Sequence, residues 1–199
     1  MNLEFIPELF EMDDEINWKK YLDNEGYVVL KNILNHDEIF TYMKTFIQEW
    51  KFVSPKFDFS DKSTWINDNC PMIWNKGMIY SNGFGQSEFQ WSLRTNPKII
   101  SIWEKVHNTK DLVVSFDGFS VFLSNSQRSK SWLHIDQNPK SNLYSIQGAF
   151  NFFEVTKDSA GFIVVPKSHK TYNPDVDEKK NYIQLDDSDI NNILLKKLI

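Results

Sequence analysis

A single cysteine, Cys70, excludes any disulfide within the chain and agrees with a reducing compartment, where it serves as a small apolar side chain. The sequence has no long basic run and carries a formal net charge of −5. A surface that tracks nucleic-acid phosphates is therefore not expected. No apolar stretch approaches the length of a membrane span, and the first residues, "MNLEFIPELFEMDDE", are acidic where a signal or transit peptide is basic. The expectation is a soluble intracellular, cytoplasmic protein with no membrane partner. Seven glycines and seven prolines in 199 residues are too few for a fibrous or low-complexity chain. Nothing in the sequence sets an oligomeric state.

What is abundant is aromatic. Sixteen Phe and seven Trp supply a packed interior, and 199 residues suffice for one domain with a real core but not for two large ones. A single domain over 1–199 is expected. Its front half reads as helix, strand, helix. Residues 13–25 ("DDEINWKKYLDNE") have leading acids and Ile16, Tyr21 and Leu22, with Gly26 as the stop. "YVVLK" follows as a β-branched strand. Asn35 and Glu38 then make a capping box before an amphipathic helix over 36–50. A further helix is expected over 97–107, with Pro97 in its first turn; His36 and His107 sit at helix ends facing solvent. Between Val53 and Trp91, Pro55, Pro71, Gly77, Gly83 and Gly85 break every period. Two readings of that stretch stand: a lid or pocket wall, or a loop layer packed on the core by its aromatics.

From Asp111 the pattern changes to short strand-like runs, "DLVVSFDGFSVFL", "SWLHID", "YSIQGAFNFFEV" and "GFIVVP", separated by polar turns. The fold expected is mainly β with N-terminal helices: a double-stranded β-helix (jelly-roll) core over 111–199, incomplete at its C-terminal end, with 1–110 as a helical and irregular buttress and lid. "DSDINNILLKKLI" reads as a last helix.

Within this region lies "SWLHIDQNPKSN", residues 131–142. Four histidines among 27 acids make about half a His-x-acid match expected by chance, so the spacing alone is weak. A surface pair at a strand end would use the same letters. On a strand, however, His134 and Asp136 project to one face. An imidazole nitrogen and a carboxylate oxygen side by side are two-thirds of the facial triad that holds non-haem iron(II) with coordination sites left open.

The order "DLVVSFDGFSVF", "WLHIDQNP", "SIQGAFNFFEV", "GFIVVPKSHK", over about residues 90–185, resembles the phytanoyl-CoA dioxygenase family of iron(II)- and 2-oxoglutarate-dependent oxygenases, with a weaker likeness in "EGYVVLKNILNHDEI". The resemblance implies His134 and Asp136 as iron ligands, Fe(II) and 2-oxoglutarate as cofactors, and hydroxylation of a small organic substrate. It places Phe150, by spacing back from "PKSH", against the cosubstrate. Gln147, on the other face of the same run, is the second cosubstrate candidate. Core packing explains Phe150 equally well. Gln137 either orients a ligand from outside the coordination sphere or caps a turn.

The family also needs a later histidine and an arginine for the 5-carboxylate of 2-oxoglutarate. After Asp136 the sole histidine is His169, and no arginine follows Arg128. Three explanations stay open: a shortened chain, a non-catalytic binding or structural relative, or His169 as an unorthodox third ligand. Lys157, Lys167 and Lys170 are the remaining cations for a carboxylate, without arginine's planar fork.

Overall fold

The computed structural model describes residues 7–71, 73, 77–124, 133–141, 144–156, 159–174, 176–177, 179–186 and 188–189. The chain divides into two compact units, one of Met1–Phe10, Ile16–Val29 and Lys130–Ile199, the other of Glu11–Glu15 and Leu30–Ser129.

Helices dominate. Among the described residues, α1 (Glu15–Glu25), α2 (His36–Val53), α3 (Glu88–Arg94), α4 (Pro97–His107) and the single turn α5 (Ser168–Thr171) contrast with six strands of two residues each: β1 (Leu9–Phe10), β2 (Val29–Leu30), β3 (Met78–Ile79), β4 (Phe119–Ser120), β5 (His134–Ile135) and β6 (Ile183–Gln184). They form three two-stranded sheets, β1–β2, β3–β4 and β5–β6. This overturns the expected mainly β jelly-roll, since two-residue ladders in separate pairs do not make a double-stranded β-helix. The physical reason is visible at Val113 and Val114. A half-buried strand hides one of two successive side chains, yet these are 101% and 51% exposed. β-branched runs mark where a strand fits a pleated surface, but the ladder needs a partner, and among the described residues 111–118 form none. Of the last expected helix, Ser188 and Asp189 are helical and the rest lies outside the described residues.

The helices follow their end signals. α2 has the full capping box: Asn35 Oδ1 accepts the Glu38 N–H at 2.9 Å, and Glu38 Oε2 accepts the Asn35 N–H at 2.8 Å. α4 begins with Pro97 after the cap Asn96 and ends on left-handed Asn108. α1 ends where the Gly26 N–H donates to the Leu22 carbonyl at 2.8 Å, with Gly26 at φ +80°.

In the second unit α2 supports an aromatic core. Phe46 meets the rings of Phe89 and Phe119 at 5.2 and 5.6 Å, and Trp50 meets Phe57 at 5.3 Å. Phe57 and Phe84, from the irregular 53–91 stretch, are fully buried in it. That stretch is thus a loop layer anchored by aromatics. Arg94 fastens it further, donating to the carbonyls of Gly85 and Asp117 at 2.8 and 2.5 Å. In the first unit Trp18, Ile183 and Leu185 are buried.

Candidate functional site: a histidine–aspartate pair

β5 is short because its ladder is short: His134 pairs with Gln184 and Ile135 with Ile183, antiparallel, and the Leu185 N–H donates to the Leu133 carbonyl at 2.9 Å. Burial of Ile183 and Leu185 holds β6 in place, which fixes the backbone from which His134 projects. The chain bends at Asp136, yet His134 Nε2 and Asp136 Oδ2 still lie 3.5 Å apart. The Tyr182 ring flanks the imidazole at 5.1 Å between centroids. The His134 side chain is 23% exposed and that of Asp136 42%, so solutes reach the pair.

The turn behind the pair is tied down by a residue that sequence reasoning passed over. Asn138, 3% exposed, donates through Nδ2 to the carbonyls of Asp177 and Lys180, both at 2.9 Å. Its Oδ1 accepts the Lys140 N–H, while Lys140 Nζ donates to the Val176 carbonyl, each at 2.9 Å. Asn followed by Pro is a turn-forming pair, and that was the available signal. Gln137 spans the same turn, with Nε2 donating to Ser141 Oγ at 2.5 Å.

His169 stands elsewhere in this unit, at the C-terminal end of α1. Its Nε2 is 3.1 Å from the Asp23 carbonyl, and its ring packs so closely on Gly26 that a Cβ there would collide with it. The Lys167 N–H donates to the Glu25 carbonyl at 2.7 Å, and Lys167 Nζ pairs with Glu25 Oε1 at 3.3 Å. Together these satisfy carbonyls that the helix end leaves open. Phe150 is half-buried against Phe152, ring centroids 4.9 Å apart, and Gln147 is exposed. Lys157 lies outside the described residues. Among the described residues, no group of three or more His, Cys, Asp or Glu side chains is placed to hold one metal ion.

A shallow groove of about 370 Å³ opens in the second unit between α2 and residues 82–88. Glu49 lines it, but its Oε1 is engaged by the N–H groups of Glu88 and Phe89, at 2.7 and 3.3 Å, at the start of α3. Cys70 is half-buried, and burial pushes its thiol up.

No family model matches the sequence, and no solved structure matches it. Among curated proteins it is similar to "Ava biosynthesis cluster protein O" of Aspergillus versicolor, 28% identical over 160 residues. The match covers 79% of this chain and 52% of that protein, so the chain spans about half the length of the relative. Among the described residues no helix is long and apolar enough to cross a membrane.

Proposed function

We propose that His134 and Asp136 are two protein donors of a divalent-metal site of the iron(II)- and 2-oxoglutarate-dependent oxygenase type, in a protein acting on a small organic molecule. The convergence of the two side chains carries this reading. Metal bonds from imidazole nitrogen and carboxylate oxygen are about 2.1 Å long, so two donors up to roughly 4 Å apart reach one ion. The separation of 3.5 Å lies within that reach. Support also comes from the four sequence blocks that resemble the phytanoyl-CoA dioxygenase family, and from a relative whose name places it in a biosynthesis cluster.

The fit to the cofactors is partial. Two donors are present, and a third is absent among the described residues. Arg94 is committed to backbone carbonyls in the second unit, and no arginine follows Arg128. Bound iron and 2-oxoglutarate would supply the oxidising power for hydroxylation. The chain's own part is to hold the imidazole and carboxylate on a turn that Asn138 fixes, and to flank the imidazole with Tyr182.

A second reading, a non-catalytic binding module, draws on the absence of a third donor among the described residues and of the expected barrel. Manganese(II) titrations with and without 2-oxoglutarate separate the two. The oxygenase reading expects weak binding that 2-oxoglutarate strengthens, since the cosubstrate adds two donor atoms to the ion, and expects Asp136→Ala to remove the gain. It also expects no succinate from residues 1–199 alone. Manganese binding indifferent to 2-oxoglutarate would leave the binding-module reading.

A further inference from the structure

The register of the β5–β6 ladder brings a further side chain to the histidine–aspartate pair. His134 is paired with Gln184 and Ile135 with Ile183. The Leu185 N–H donates to the Leu133 carbonyl, one residue outward on each strand, so His134 and Gln184 face each other as a pair without mutual backbone hydrogen bonds. Side chains of such a pair rise from one face, with Cβ atoms about 4.5–5.5 Å apart. Burial follows the same alternation: Ile183 and Leu185 are buried, while Tyr182 and Gln184 are exposed. The Tyr182 ring, two residues before Gln184, touches the His134 imidazole, which identifies the Tyr182 and Gln184 face as the histidine's own. The Gln184 amide makes no hydrogen bond to another described residue.

This inference rests on the reading of His134 and Asp136 as donors to a divalent ion. One carboxylate leaves such an ion with net positive charge, so its open positions favour an anionic oxygen ligand. We propose that Gln184 is the binding residue for that ligand, with its Nε2–H donating to a carboxylate of a small 2-oxo acid held beside His134. A hydrogen bond from an amide to a carboxylate is charge-assisted and directional, and the neutral amide adds no charge of its own to the metal pair. Two lysines of the same unit are engaged otherwise: Lys140 Nζ donates to the Val176 carbonyl, and Lys167 Nζ pairs with Glu25. Gln184 stands directly opposite the imidazole with its amide open, and Tyr182 walls the same face.

Manganese(II) binding by the 199-residue protein, followed by paramagnetic resonance with and without 2-oxoglutarate, tests this without turnover. Gln184→Ala, at an exposed position, should leave the affinity for manganese alone within about twofold of the parent. The gain in affinity that 2-oxoglutarate brings should fall about tenfold, the worth of one hydrogen bond to a charged group. Gln184→His sets a second imidazole opposite the first, so it should tighten manganese binding without 2-oxoglutarate and add a second nitrogen coupling to the spin-echo spectrum. Binding that depends on His134, and a 2-oxoglutarate gain untouched by Gln184→Ala, would overturn the role of Gln184 and leave the metal pair standing. A Gln184→His spectrum with a single imidazole nitrogen would do the same. Absence of manganese binding in both the parent and Gln184→His, or binding in the parent that 2-oxoglutarate does not strengthen, would overturn this role together with the oxygenase reading.

Discussion

The imidazole of His169 rests on Gly26, and its Nε2 stands 3.1 Å from the Asp23 carbonyl, closing the C-terminal end of α1. Gly26 is at φ +80°, a left-handed conformation that costs a side-chain-bearing residue roughly 1–2 kcal/mol. Gly26→Ala must bear that cost and also displace the ring, so a loss of about 2 kcal/mol or more is expected in urea unfolding. His169→Ala should lose about 1 kcal/mol, one hydrogen bond's worth. A Gly26→Ala protein as stable as the parent would refute the packing.

Asn138 offers a second test. Its Nδ2 serves two carbonyls from a position 3% exposed. Asn138→Ala leaves both carbonyls without that donor, and a loss of about 1–3 kcal/mol is expected on unfolding. Because the turn also orients Asp136, the same variant should weaken metal binding without having removed a donor atom. Unchanged stability with unchanged metal affinity would show that the turn holds itself.

Glu38 links the α2 cap to pH. Its hydrogen bond from Lys98 Nζ, and then the Asn35 N–H, hold its carboxyl below the ordinary 4.5. The pKa is depressed in the fold, so the stabilisation is present above about 4.5 and is lost as pH falls through the folded value. The stability difference between parent and Glu38→Gln should be constant near neutrality and shrink on acidification below about pH 4.5. Asn35→Ala should cost about 1 kcal/mol at neutral pH. A difference that widens in acid would reverse the assignment.

Local chemistry was legible where it is self-contained. Asn35, Glu38, Pro97 and Gly26 announce helix ends through hydrogen bonds and dihedral preferences that lie within a few residues of each other. The strand-like runs after Asp111 were misread because a strand is a relationship between segments: Val113 and Val114 carry strong β preference and still face solvent. The convergence of His134 with Asp136 could be posed from a spacing of two, although the backbone bends at Asp136 rather than continuing as a strand. Tyr182 and Asn138 were not legible as part of the site, because their partners lie 39 to 48 residues away in sequence.

Manganese(II) binding followed by electron paramagnetic resonance, on the parent chain and on His134→Ala, Asp136→Ala and His169→Ala, tests the central claim most directly. A two-donor site on His134 and Asp136 requires weak binding that is lost in the first two variants and kept in the third. Tight binding abolished by His169→Ala, or binding that survives loss of His134, would contradict it.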